Sequence, residues 1–127
     1  MKIIFCDDDH LFRTIGEAIL RMGMHDVEIA YDGQDALEKI QANSFDVLVT
    51  DYKMPRLTGG ELVEKLRELN IPIKVIMITG YSNEIEKAAM DRLRLNGFLK
   101  KPFKAAALLE CVHNLIHADP ESAQAVP

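Results

Sequence analysis

Short runs rich in Ile and Val alternate with segments of helical period, and this alternation restricts the fold more than any other feature. The runs occupy residues 2–6, 27–30, 47–50, 75–79 and, more weakly, 98–100. They are almost continuously apolar, the pattern of strands buried on both faces. Between them, apolar residues recur every three or four positions. Leu11, Ile15, Ala18, Ile19 and Met22 form the first set, and Ala36, Leu37 and Ile40 carry a helix over 33–41. Leu62, Leu66 and Leu69 follow, then Ile85, Ala88 and Ala89, and last Leu108, Cys111, Val112, Leu115 and Ile116. Strands alternating with helices imply right-handed crossovers and a parallel sheet covered on both faces. The predicted class is therefore α/β, an open three-layer sandwich, since five such units fall well short of an eight-unit barrel. Periodicity leaves the strand order open. In sheets of this kind chemistry collects where the carboxyl ends of the strands meet the following loops.

Composition narrows the class of function. A chain of 127 residues, 48% hydrophobic and 28% charged, suits one globular domain with a single core. No run of roughly 18 apolar residues is present to span a bilayer, and the apolar start, Met1 to Cys6, is too short for a signal peptide before it meets Asp7. The expected location is the cytoplasm, with no membrane partner. Cys6 and Cys111 have no metal-type spacing and are expected to be reduced and buried. His10, His25, His113 and His117 make no zinc signature. A net charge of −5 argues against direct nucleic-acid binding, which usually leaves a basic patch. Residues 119–127, small, polar and bracketed by Pro120 and Pro127, read as a disordered tail or the start of a linker, leaving 1–118 as the domain.

Four strand ends carry side chains suited to one another. Asp7, Asp8 and Asp9 follow the first run directly, and Asp51 ends the third. Carboxylates held close together raise one another's pKa, and a cation is the usual remedy. An all-oxygen set of this kind suits Mg²⁺. Thr79 closes the fourth run ahead of the small Gly80, so its hydroxyl can bond a phosphoryl oxygen. Lys101, before Pro102, supplies a point-like ammonium for a carboxylate or phosphate. Each feature alone has a plainer reading: Asp8 or Asp9 as a helix cap, Asp51 as a turn former, Thr79 as structural, Lys101 as a surface charge. Together, on four strand ends, they describe a phosphoryl-transfer site with Asp51 as nucleophile.

These stretches resemble the receiver domain of bacterial response regulators over essentially the full chain. The likeness is carried by Ile3-Ile4-Phe5-Cys6-Asp7-Asp8-Asp9, by Asp51-Tyr52-Lys53-Met54-Pro55 with Gly59, by Ile78-Thr79-Gly80, and by Gly97-Phe98-Leu99-Lys100-Lys101-Pro102-Phe103. It implies a flavodoxin-like, doubly wound, five-stranded parallel sheet of order 2-1-3-4-5, and a cis Lys101–Pro102 bond. It implies that Asp8 ligates Mg²⁺ directly and Asp7 mainly through water. Asp51 would be phospho-acceptor and ligand, and the Lys53 carbonyl would supply a further metal oxygen. Thr79 and Lys101 would bind the phosphoryl group, and Phe98 would be the switch aromatic that moves inward with Thr79. Asp9 has no firm family role, and a helix cap is its better reading. Leu93-Arg94-Leu95 stand where many receivers carry small residues. Lys53 and Tyr81 flank the site at positions that vary and tune phosphoryl lifetime.

The resemblance also implies partners: a histidine kinase or histidine phosphotransfer protein as donor, and a downstream protein or fused effector domain as readout. Arg13, Thr14 and Glu17 on the first helix are placed to contribute to donor choice. The output face would be the fourth helical pattern, the fifth strand and the fifth helical pattern, through which a homodimer could also form. On this reading the chain is a signalling switch and not an enzyme acting on other molecules. An aspartyl phosphatase would need an acid two residues after Asp51, where Lys53 stands. A pseudo-receiver usually lacks an acid, the Thr or the Lys, all present here. Neither a G-x-x-x-x-G-K-[ST] nor a G-x-G-x-x-G loop occurs, which disfavours nucleotide binding.

Overall fold

The computed structural model describes residues 1–80 and 91–117. Five strands, β1 (Lys2–Cys6), β2 (Asp26–Ala30), β3 (Val47–Asp51), β4 (Lys74–Thr79) and β5 (Gly97–Lys100), form one parallel sheet. Their order is β2-β1-β3-β4-β5. Helices α1 (His10–Met22), α2 (Gly33–Ala42) and α3 (Gly59–Glu68), with the last helix (Ala105–His117), connect and cover them. The helical pattern of Ile85, Ala88 and Ala89, Tyr81, and the segment 119–127 lie outside the described residues.

Because side chains alternate across a strand, each central strand feeds two cores. Ile3, Phe5, Val47, Val49, Ile76 and Ile78 face α1 and the last helix, where Leu20, Leu108 and Val112 meet them. Ile4, Cys6, Leu48, Val75 and Met77 face the other way, onto Ala36, Leu62, Val63 and Leu66 of α2 and α3. Burial on both faces is why these three runs are continuously apolar. The expectation fails for the outer strands: β2 and β5 are edges and only half-buried, as their Glu28 and Lys100 allow.

Helix starts are set by short polar side chains. The Asp9 carboxylate accepts from the amides of Leu11 and Phe12, so the capping reading of Asp9 holds. Asp32 accepts from Asp35 N at the start of α2. Thr58 and Glu61 form a reciprocal capping box at α3.

Two apolar stripes read from periodicity are corrected. On α1 the buried positions are Gly16, Ile19 and Leu20. Leu11, Ile15, Ala18 and Met22 instead point to solvent, Leu11 at 62% and Met22 at 77% exposure. Gly16 explains the rotation: a Cβ there would come within 2.3 Å of the Phe5 ring, so the helix lies with its smallest residue on a phenylalanine of β1. On α3, Leu69 is the exposed C-cap rather than a core residue.

Cys6 is buried, Cys111 half-buried, and both are free thiols. Leu93 enters the core and Leu95 packs against it, which gives the bulk in Leu93-Arg94-Leu95 a packing role. No described helix is long and apolar enough to cross a membrane. Replacing Gly16 by Ala should cost about 1–3 kcal/mol through overpacking against Phe5. Ala18→Ser, on the exposed side, should stay within about 0.5 kcal/mol. Urea midpoints at unchanged slope would register the difference.

Candidate acidic site at the strand ends

The carboxyl ends of β1, β3, β4 and β5 meet at one edge of the sheet, and the backbone ladder continues just past β1, β3 and β5. Asp7 N donates to Ala30 O at 3.3 Å, Tyr52 N to Ile78 O at 2.8 Å, and Lys101 N to Thr79 O at 2.7 Å. These bonds fix the first residue of each loop, so the side chains there inherit the rigidity of the sheet. Gly59 tightens the arrangement further. Its amide donates to Tyr52 O at 2.7 Å, and a Cβ on it would fall 2.3 Å from the carbonyl oxygen of Asp51.

One carboxylate oxygen from each of Asp7, Asp8 and Asp51 lies within 4.8 Å of the others. Asp7 is fully buried, Asp51 is 7% exposed, and Asp8 opens to solvent. The Lys101 ammonium stands between the two buried acids, 2.9 Å from Asp7 Oδ2 and 3.2 Å from Asp51 Oδ2. The Asp51 contact is a hydrogen bond. The Asp7 contact is an ion pair whose angles fall short of one, and Asp7 Oδ2 is buried without another donor. Asp7 Oδ1 accepts from Asp9 N at 2.9 Å.

Thr79, also buried, closes β4 beside this group, paired in register with Lys100. Phe98 lies half-buried on the α2 and α3 side of the sheet, against that core and in register with Met77. Lys53 is exposed in the turn two residues after Asp51. The Lys101–Pro102 bond is cis. Asp7, Asp8, Asp51 and Lys101 thus come together in direct contact range, with Thr79 at the neighbouring strand end and Lys53 and Phe98 further out.

The profile of the response regulator receiver domain matches residues 3–113. This chain belongs to that family. As a receiver it is 36% identical to the chemotaxis protein CheY-3 of Vibrio cholerae over 87% of each chain. It is 30% identical to the transcriptional regulatory protein CutR of Streptomyces coelicolor, of which it spans 53%. Among solved structures, a receiver domain protein of Methanospirillum hungatei superimposes with a TM-score of 0.86 at 28% identity, covering 97% of this chain and 96% of the other. The Francisella 1452 receiver domain gives 0.85 at 31% identity, covering 90% and 94%. The strand order expected from the resemblance is the order observed.

Several contacts around the receiver site were not legible as motifs. Arg13 donates to the Asp7 carbonyl at 2.9 Å and stacks on Tyr31, its guanidinium carbon 4.6 Å from the ring centroid. It therefore supports the acidic loop, beyond the donor-choice role expected of it. Thr14 turns its hydroxyl to His10 O, and Glu17 pairs with Arg21 along the helix. Arg56 pairs with Asp32, tying the turn after β3 to the start of α2. Cys6 donates to Asp32 O at 3.2 Å, and burial raises its pKa to about 12, so it stays a thiol. Only helical phase or tertiary neighbours could have announced these contacts.

Burial, and after it the charge of Asp7, push the Asp51 carboxyl up to about 6 against the opposing pull of Lys101. For Lys101 burial alone would lower the pKa, but the two carboxylates outweigh it and raise it. Three carboxylates gathered around one ammonium form a polar, acid-rich set. Three carboxylate oxygens within 4.8 Å of one another, with Asp7 Oδ2 buried and lacking a hydrogen bond, fit a hard divalent ion such as Mg²⁺.

The raised Asp51 has a consequence for stability. A carboxyl with a folded pKa above its unfolded value near 3.9 stabilises the fold while protonated. That contribution is complete below about pH 4 and lost as pH rises through about 6. In Mg²⁺-free buffer at about pH 7.5, Asp51→Asn should therefore melt higher than the parent. The gain should be roughly 3–6 °C, the equivalent of about 1 kcal/mol once solvent screening at this partly open site is allowed for. The gap should close towards about pH 4, as followed by circular dichroism.

Proposed function

We propose that this receiver takes a phosphoryl group on Asp51 from a phosphohistidine of a histidine kinase or phosphotransfer protein. The observation that carries the proposal is the Lys101 ammonium set between two buried carboxylates at the edge of a rigid sheet. An Asp51 oxygen attacks phosphorus, the P–N bond to the donor imidazole breaks, and the imidazole leaves with that electron pair and regains a proton. Asp7, Asp8 and Asp51, with the Lys53 carbonyl, would hold Mg²⁺, which when bound offsets negative charge on the transferring group. Lys101 contributes a positive charge of its own between Asp7 and Asp51. Thr79 donates its hydroxyl to a phosphoryl oxygen. The domain acts only on itself in this scheme, catalysing its own phosphorylation and dephosphorylation.

Phosphorylation converts about one negative charge at Asp51 into about two and adds strong acceptor oxygens. Thr79 and Lys101 are drawn to them, and since Thr79 O already accepts from Lys101 N, β4 and β5 respond together. Phe98, half-buried on β5, moves further inward and changes the face around it. Carrying a population from 1:99 to 99:1 requires about 5.5 kcal/mol of preference for the active state. The receiver then acts through that face on a downstream protein or a joined effector domain.

The corrected face of α1 supports a protein donor. Leu11, Ile15, Ala18 and Met22 are spaced four, three and four residues apart and exposed, beginning one turn from the acidic loop. That spacing is an apolar seam suited to a partner helix.

With Mg²⁺ and phosphoramidate the protein should acquire one phosphoryl group, read by intact mass, and Asp51→Asn should acquire none. Equal labelling of Asp51→Asn would refute the assignment. Thr79→Ala should still label, about tenfold or more slowly, the usual scale for removing one donor to a developing anion. Ile15→Lys should slow transfer from a phosphohistidine protein about tenfold more than it slows labelling by phosphoramidate, as the loss of about 1.4 kcal/mol of docking would do.

A further inference from the structure

The Lys101 ammonium has a third neighbour. Its Nζ lies 4.1 Å from the centroid of the Phe12 ring, on the first turn of α1. The ring of Phe103 lies near the same phenyl, centroids 6.1 Å apart and tilted by 44°. Lys101 and Phe103 flank Pro102, so one ring on α1 receives both residues of the loop after β5. Phe12 is half-buried and the Lys101 side chain only 15% exposed.

Two carboxylates attract an ammonium without defining how its flexible four-carbon stem approaches. An aromatic face does define it. The ring presents its negative quadrupole to the cation, removes water from one side, and leaves the N–H donors aimed at the acids. An aliphatic side chain of similar bulk would fill the space and offer no such attraction. The ring therefore supplies a fixed third side to a charge otherwise held by two acids that a metal and a phosphoryl group would engage.

We propose that Phe12 is a positioning residue for phosphoryl acceptance, holding the Lys101 ammonium beside Asp51 through the face of its ring. This rests on the reading of Asp51 as acceptor. Phe12 follows exposed Leu11 directly, so the helix that would seat the donor also carries the ring that orients the lysine. Donor docking and lysine placement then share one rigid element.

The test compares the parent chain with Phe12→Leu, Phe12→Tyr and Asp51→Asn, each with Mg²⁺ and saturating phosphoramidate. Phe12→Leu should label about threefold to tenfold more slowly, the fold-change expected of a partly buried cation–π contact. Phe12→Tyr, which keeps the ring face, should restore most of the rate. In parallel, the ε-methylene protons of Lys101 should resonate upfield of ordinary lysines in the parent and Phe12→Tyr, and return to the ordinary position in Phe12→Leu. A Phe12→Leu variant that labels at the parent rate, while Asp51→Asn takes no label, overturns the inference and leaves the acceptor reading intact. So does a Phe12→Tyr as slow as Phe12→Leu. Label on Asp51→Asn overturns the acceptor reading itself. Should Phe12→Leu fail to fold, the parent spectrum decides: an unshifted Lys101 ε-methylene rejects the contact, and a shifted one upholds it.

Discussion

Everything at the top of the sheet depends on one ammonium between two buried carboxylates. Asp51 lies where burial penalises its charge, and the neighbouring charge of Asp7 penalises it further. Lys101 compensates in part, reaching both from the loop just past the edge strand β5. Part of the imbalance persists, as the raised Asp51 shows. A site left short of positive charge in this way is disposed to take up a divalent cation, whose own affinity then rests on a fold built around an unfavourable arrangement.

The sheet makes that arrangement sustainable. Its central strands are buried on both faces by two separate apolar clusters, one beneath α1 and the last helix and one beneath α2 and α3. Neither cluster can shift a strand without disturbing the other. Polar groups are thus confined to the strand ends, where ladder bonds past β1, β3 and β5 hold the loops in place. Polar side chains cap all three of α1, α2 and α3, and Asp32 also joins the cap of α2 to Arg56 across the site's rim.

The sequence was most informative where chemistry and secondary structure coincide. Strand ends are marked by an abrupt change from Ile and Val to Asp, Thr or Lys, so the places of Asp7, Asp51, Thr79 and Lys101 could be read before any fold was known. The strand order could not; it came with the family resemblance. Helical phase was harder. Counting apolar residues on α1 selected Leu11, Ile15 and Met22, because the count registers apolarity and cannot tell a core face from an exposed one. The buried face instead turns on Gly16, which has no side chain to register. Phe12 and the loop-supporting contact of Arg13 escaped for a related reason: their partners, Lys101 and the Asp7 carbonyl, are neighbours only in three dimensions. Leu69 looked like a third core position on α3 and lies past the helix's end.

The bond from Lys101 N to Thr79 O has a mechanical meaning. The two side chains that would grip a phosphoryl group are mounted on adjacent paired strands whose ladder this bond extends, so they resemble two fingers on one hand rather than two separate hands. Thr79 thus offers its hydroxyl towards the site and its carbonyl to the peptide that carries the lysine. A load placed on either side chain is therefore shared by both strands.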